Sequence, residues 1–237
     1  MMSGNSSKKV LVVCYHFPPS AAVGGIRAAK FCKYLPGHGW QPIVLTVAED
    51  DLEETSPAAG KMIPEGLRVV RAPMWPGLRQ IYLRLRGKSG AEVSHKEQAF
   101  ISEDIQSSSP WQRKESLASR IKRFMLSLMW LPDDIQGWYP PGVSAGVRLF
   151  KEEKFDAVLA TGPPWTSLLI GRRIARKTGR PFAADFRDPW LHNPWKPYWV
   201  VSKPAKRLER RMEAGVVQQA SRVICNTSGL TEDFQSR

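Results

Sequence analysis

The chain has 237 residues, which is long enough for one large α/β domain, or one and a half average domains, with a proper hydrophobic core. Lys and Arg (35) outnumber Asp and Glu (22), and the net charge of +13 favours anionic partners such as nucleotides, phospholipid head groups or nucleic acid. The three cysteines stand far apart without a CxxC pair, so neither a zinc site nor a disulfide framework is indicated. No stretch has the length and apolarity of a signal-peptide core or a membrane span, and a reducing cytoplasm fits best.

The first predicted element is a strand over residues 10–15, a continuous apolar run typical of a parallel strand that is covered on both faces. Pro18 and Pro19 end it, and Gly24 and Gly25 precede a predicted helix over residues 26–35. Glycines let a ligand approach the backbone and a helix N terminus favours an anion, so this segment predicts a phosphate site, with a ligand-free turn as the alternative. The glycine spacing argues against NAD and Walker-type ATP sites.

The middle of the chain is harder to interpret. Strands are predicted over residues 42–47 and 67–72, after which periodicity fails and residues 73 to about 116 form a variable, poorly ordered excursion within a single domain. Helical spacing then returns with surrounding Arg and Lys residues. Such a basic amphipathic helix lies either on an anionic membrane or, more commonly, on its own domain with the basic face in solvent. Its apolar face comprises Leu117, Ile121, Phe124, Met125 and Leu128.

From residue 138 onward, helices and strands alternate. Helices are predicted to about residue 151, over 166–177 and over 203–219, and strands over 156–160, 182–185 and 222–225, before residues 226–228 cap a last helix. This alternation predicts an α/β fold, a Rossmann-like, doubly wound parallel sheet with right-handed crossovers. Ligands bind such sheets beyond the carboxyl ends of the strands, so the loops after residues 15, 160, 185 and 225 should gather at one edge.

These four loops are rich in Gly, Pro, Trp and charge. Asp185, Arg187 and Asp188 leave a buried strand together in DFRDPW and can hydrogen-bond one another and a polyhydroxylated ligand. A structural ion pair between Arg187 and Asp188 is the alternative. The motif is followed by aromatic side chains, which can stack on sugars or lipid unless they are covered as packing residues. These aromatic residues are Trp190, Trp195, Tyr198 and Trp199. The other predicted ligand contacts are Gly162, Pro163, Asn226 and Ser228.

With these loops, the chain resembles the N-terminal domain of family 4 glycosyltransferases of the GT-B fold. The motifs that carry the resemblance are FPPSAAVGGIRAAKFCKYLPGHGWQPIVLT, PDDIQGW, FDAVLATGPPWTSLLIG and PFAADFRDPW. It extends over nearly the whole chain and is weakest at residues 73–117. The pattern looks like the bacterial branch that makes cell-surface polysaccharides, which carries Arg-Asp where many relatives carry His-Asp.

The resemblance implies one half of a GT-B fold, in which the N-terminal domain holds mainly the acceptor and the C-terminal domain holds the nucleotide-sugar. It also implies metal-independent transfer with retention of configuration, with the nucleotide-sugar as co-substrate and no cofactor. Gly24 and Gly25 match the loop that faces the donor phosphate and the transferred sugar. We interpret Arg187, which replaces the family's histidine, as a charge stabiliser of the phosphate or leaving group, and Asp188 as a group that orients a hydroxyl.

The chain ends where the family's connection to the C-terminal domain begins, so the donor-binding domain is expected to be absent and the isolated chain inactive. The expected partners are a nucleotide-sugar donor, a glycan or lipid-linked acceptor and an anionic membrane surface, which the basic residues near 113–123 and 203–210 would contact from the cytoplasm. Two other functions stay open. One is a sugar-nucleotide epimerase of similar fold. The other is a basic nucleic-acid-binding module, which has no recognised signature here, so nucleic acid is not an expected partner.

Overall fold

The computed structural model describes residues 7–85, 116–192 and 202–236. In this part of the chain six strands form one sheet: β1 (Lys8–Val13), β2 (Trp40–Val47), β3 (Val69–Ala72), β4 (Ala157–Gly162), β5 (Phe182–Phe186) and β6 (Arg222–Cys225). All neighbouring strands are parallel, in the order β3–β2–β1–β4–β5–β6. The predicted Rossmann-like parallel sheet is confirmed, and its order reverses between β1 and β4, where such sheets bind ligands.

Eight α-helices are described within these residues. They are α1 (Val23–Tyr34), α2 (Pro57–Gly60), α3 (Leu78–Leu85), α4 (Leu117–Leu128), α5 (Tyr139–Glu152), α6 (Trp165–Thr178), α7 (Lys203–Gln219) and α8 (Ser228–Gln235). The predicted bounds of α7 and β6 are confirmed to the residue. The predicted excursion contains α3, and residues 86–115 lie outside the described part of the chain.

Both faces of the sheet are covered, as the continuous apolar strands require. Successive residues of β1 alternate between two clusters: Leu11 belongs to the larger core together with Leu149 of α5 and Ile174 of α6, whereas Val12 belongs to the smaller core together with Ala28 of α1. All five side chains are at most 2% exposed. The sheet therefore has α1 on one side and α5 and α6 on the other, and only the ends of its central strands are left for a ligand.

Helix α1 begins earlier than the sequence predicts. Gly24 and Gly25 lie in its first turn and not in the preceding loop, because Ala22 already takes the extended conformation of a helix N-cap and the amide of Gly25 donates to the carbonyl of Ala22 (2.9 Å). Both glycines have ordinary negative φ angles. The first turn of α1 thus has Val23 as its first residue, followed by two residues without a side chain.

Helix α4 packs on its own domain with one part of its apolar face and leaves the other part exposed. Phe124 and Leu128 pack with Leu208 of α7 in a small separate cluster. On the remaining surface of α4, Leu117 is 72% exposed and Ile121 and Met125 are each 54% exposed. None of the described helices is long and apolar enough to cross a membrane.

Candidate active site at the carboxyl edge of the sheet

Three of the four predicted loops meet at the carboxyl ends of β1, β4 and β5. The amide of Arg187, which follows β5, donates to the carbonyl of Gly162 at the end of β4 (2.9 Å). The guanidinium of Arg187 lies directly against Gly24 of α1, where an added Cβ would collide with it. The same Cβ would lie 3.2 Å from Cδ2 of His16, which follows β1. The fold therefore places a cation and an imidazole over the N terminus of α1.

The N terminus of α1 is open to an anion. Ala22 has no side chain that could cap the helix, and its first turn carries no acidic residue. The partial positive charge of the helix end and the N–H groups of its first two residues therefore meet no carboxylate from α1 itself. Together with the guanidinium of Arg187 they form a site where a phosphate would be favourably bound.

The two glycines of this turn have different roles. A side chain at Gly24 would displace Arg187, because the guanidinium occupies the space of its Cβ. Gly25 is buried, and a Cβ there would lie 3.5 Å from Cα of Phe17 and Cδ of Pro18, which is ordinary van der Waals contact. Of the two predicted ligand contacts, Gly24 is the one that borders the open helix end.

The carboxylate of Asp185 is buried and hydrogen-bonded within the protein. It accepts hydrogen bonds from Nε and Nη2 of Arg27 (2.8 and 2.6 Å) and from Oγ1 of Thr161 (2.6 Å), and its side chain is 0% exposed. The hydrogen bonds to Asp185 raise the pKa of Arg27. The prediction that Asp185 contacts a ligand is therefore corrected: it fixes α1 to β5, and the sequence pattern did not reveal its partner.

Arg187 and Asp188 form a looser pair at the surface. Nε of Arg187 lies 3.4 Å from Oδ2 of Asp188, and the two side chains are 27% and 48% exposed. This distance is beyond the usual range of a charge-assisted hydrogen bond. Both groups can turn towards a ligand, and the roles assigned to them from the sequence stay predictions.

His16 is a residue that the sequence interpretation did not single out. Burial and the nearby Arg187 lower the pKa of His16 to about 4, so its imidazole is neutral at pH 7. Its Nδ1 is buried and has no hydrogen-bond partner within the described residues. The signal for it was available, because His16 follows the first buried strand at the edge where ligands bind.

Trp190 is a core residue and does not present its ring to a sugar. It is 0% exposed, stacks on Trp165 with ring centroids 5.3 Å apart and an interplanar angle of 6°, and donates from Nε1 to Oε1 of Glu209 (3.0 Å). The cover that the sequence did not reveal comes from α6 and α7. The prediction of ligand stacking is wrong for Trp190, and Trp195, Tyr198 and Trp199 lie outside the described residues.

The TGPPW loop ends in a helix that is already capped. Gly162 is buried and Pro163 is half-buried, and the peptide bonds on both sides of Pro163 are cis. Asp133, from the PDDIQGW motif, accepts hydrogen bonds from the amide and Oγ1 of Thr166 in the first turn of α6 (2.8 and 2.6 Å). Burial raises the pKa of Asp133 to about 6. The N terminus of α6 is thus closed by a carboxylate.

The fourth loop lies at the outer edge strand. Oγ1 of Thr227 accepts from the amide of Leu230 (3.2 Å) and caps α8, so the predicted helix start at residues 226–228 is confirmed. Asn226 and Ser228 are exposed there, one strand beyond β5. Their predicted contact with a ligand stays a prediction. Within residues 7–85, 116–192 and 202–236, no group of His, Cys, Asp and Glu side chains could hold a metal ion.

A family model described as Glycosyl transferase 4-like domain matches residues 107–237, which is more than half of the chain. No curated protein matches the chain. Among solved structures, the Streptomyces sp. SF2575 glycosyltransferase SsfS6 is 14% identical with a TM-score of 0.38; the match covers 90% of this chain and 47% of SsfS6. SsfS6 complexed with thymidine diphosphate is 13% identical with a TM-score of 0.39, and the match covers 92% of this chain and 48% of SsfS6. The UDP-GlcNAc 2-epimerase from Neisseria meningitidis bound to UDP-GlcNAc is 14% identical with a TM-score of 0.35, and the match covers 96% of this chain and 49% of the epimerase. The chain spans about half the length of these structures.

Proposed function

Because the chain belongs to the glycosyl transferase 4-like domain family, we propose that it is the acceptor-side half of a retaining glycosyltransferase. It takes part in the transfer of a sugar from a nucleotide-sugar to a glycan or lipid-linked acceptor in cell-surface polysaccharide biosynthesis. The observation that carries the proposal is the open N terminus of α1, with Arg187 directly against Gly24 at the carboxyl edge of the sheet.

Negative charge develops on the diphosphate as its bond to the sugar breaks. Arg187 and the N terminus of α1 stabilise this charge electrostatically, which is usually the largest single contribution to lowering the barrier at a site of this kind. They supply positive charge without a metal ion, and we expect none to be needed. His16 is neutral at pH 7, so it adds a hydrogen-bonding group beside Arg187 without a second charge. Asp188 is half-exposed beside Arg187 and orients the acceptor hydroxyl.

We place the enzyme in the cytoplasm, peripherally on the inner face of the plasma membrane. The support for this location is the net charge of +13 and the exposed apolar residues of α4. The donor is held mainly by a second domain that faces the carboxyl edge. The isolated chain should therefore fold but transfer no sugar, and turnover of a nucleotide-sugar by a clean preparation of it would contradict the two-domain proposal.

Asp188→Asn tests the site in a protein that joins this chain to its donor-binding half. It keeps the shape of the side chain and removes its charge, and we expect the initial transfer rate to fall at least about tenfold, or roughly 1.4 kcal/mol of transition-state stabilisation. The melting temperature should not change, because Asp188 is half-exposed. A near-normal rate would mean that Arg187 and Asp188 form a structural ion pair. Product formation without any acceptor would favour the epimerase alternative.

A further inference from the structure

A groove of about 380 Å³ lies along α6, away from the open end of α1. Its apolar lining includes Leu131, Leu169 and Met212, and its basic lining consists of Arg172, Arg173 and Arg176. Positions 169, 172, 173 and 176 are three, four and seven residues apart and therefore share one face of α6. The groove thus combines a hydrophobic floor with three positive charges.

The three arginines are not equivalent. Nε of Arg172 donates to Oε1 of Gln219 (3.1 Å), and its guanidinium lies so close to Gly215 that a Cβ there would be 2.7 Å from Nη2. Arg172 is therefore held in place across α6 and α7. Arg173 and Arg176 are exposed, and within the described part of the chain neither has a hydrogen bond or an ion pair. Their charge is available to an anion outside the protein.

Helix α4 leads directly to this groove. It ends three residues before Leu131, which lines the groove. Its exposed side chains Leu117, Ile121 and Met125 are four residues apart and form one apolar stripe, next to the exposed Arg120. A helix with such a stripe lies in the head-group region of a membrane, where phosphates are concentrated.

We infer that the groove binds the phosphate of an anionic phospholipid, with Arg173 and Arg176 on the phosphate and the apolar lining against the glycerol and first acyl carbons. The exposed stripe of α4 enters the same leaflet. A free phosphate ion would satisfy the arginines but not the apolar surfaces, and an acidic peptide would leave the stripe of α4 uncovered. The inference rests on the proposed membrane location and adds a defined lipid site to it.

The test uses the whole chain and vesicles of phosphatidylcholine with or without phosphatidylglycerol. Arg173→Gln/Arg176→Gln removes the two free charges of the groove. Lys177→Gln/Arg180→Gln is the matched control, because it removes two exposed charges from the same region that do not line the groove. All four side chains are exposed, so both variants should fold, which a melting curve checks.

We expect the groove variant to lower the partition coefficient onto phosphatidylglycerol vesicles at least about tenfold, and the control to lower it less than about threefold. Soluble glycerol phosphate, at constant ionic strength, should not displace the protein from vesicles. Displacement by it would identify a free-phosphate site and overturn the lipid assignment. Equal losses in the two variants would show that only overall charge matters, and the groove would have no special role. Equal binding to neutral and anionic vesicles would overturn the anionic-lipid site. Binding to neither kind of vesicle would contradict the proposed membrane location as well.

Discussion

Helices α1 and α6 begin at the same edge of the sheet, after loops that leave the neighbouring strands β1 and β4, yet their N termini are treated differently. Neither N-cap residue, Ala22 or Pro164, caps its helix with a side chain. Asp133 closes the start of α6 with two hydrogen bonds to Thr166, whereas α1 meets the guanidinium of Arg187. The protein thus neutralises one positive helix end with a carboxylate and leaves the other without one.

The largest expected effect comes from opening the end of α6. Asp133→Ala removes the acceptor for the amide and hydroxyl of Thr166, and we expect the free energy of unfolding at pH 7 to fall by about 2 kcal/mol. The pKa of Asp133 is about 6 in the folded protein and near 3.8 in the unfolded chain, so the wild type becomes more stable as the pH falls between these values. Asp133→Ala lacks this gain. The difference in the free energy of unfolding between wild type and variant should therefore grow towards pH 4. Urea denaturation of both proteins at several pH values measures the free energy of unfolding. An unchanged midpoint would mean that α6 needs no cap.

Closing the end of α1 is the opposite experiment. Ala22→Asp places at α1 the carboxylate that α6 already has, and such a cap should raise the free energy of unfolding by about 0.5–1 kcal/mol. The same carboxylate competes with a phosphate for the helix end, so transfer by the protein joined to its donor-binding half should fall at least about tenfold. The transfer rate and the melting temperature of Ala22→Asp, each compared with wild type, test the two expectations. A more stable variant with full activity would show that the anion binds elsewhere.

A smaller effect is expected from Gly24→Ala, which displaces Arg187 by the volume of one methyl group. We expect transfer to fall about fivefold, which is roughly 1 kcal/mol. Gly229→Ala is the matched control, because Gly229 is also the second residue of its helix and a Cβ there would meet nothing within 4 Å. If the two variants lose the same activity, the position of Arg187 is not important. Gly25 is a poorer test position than Gly24, since a branched side chain there would press on Phe17 and Pro18.

The smallest expected effect is a change in the pKa of His16. The pKa of His16 is lowered from 6.5 to about 4, first by burial and then by Arg187. In Arg187→Gln the pKa should rise but stay below 6.5, because burial remains. Since the unfolded chain protonates His16 at a higher pH than the folded protein, stability is full above pH 6.5 and is lost as the pH falls towards 4. NMR titration of the histidine ring protons, assigned with His16→Gln, checks the shift. An unchanged pKa would mean that Arg187 does not act on His16.

The fold could be predicted because its signals are local. Apolar runs marked the central strands, and the bounds of α7 and β6 followed from the periodicity on either side of residue 220. The start of α1 was misplaced for a local reason too: glycine usually interrupts helices, but in the first turn it costs little.

The site was harder to predict because its partners are far apart in the chain. Asp185 and Asp188 stand in one short motif, and nothing local tells that the first is bound to Arg27, 158 residues away, while the second is exposed. Burial of Trp190 likewise depends on Trp165 and Glu209 from two helices. A sequence pattern shows which groups leave a strand, whereas only the packing shows which of them remain free.

The stacked indoles of Trp165 and Trp190 give the molecule a built-in optical probe. Two parallel indole rings at a centroid distance of 5.3 Å couple their electronic transitions, and this coupling is visible in circular dichroism. Trp190 lies two residues after Asp188, so any event that moves the loop carrying Arg187 and Asp188 should disturb the pair. The state of that loop can therefore be followed in solution without attaching a label.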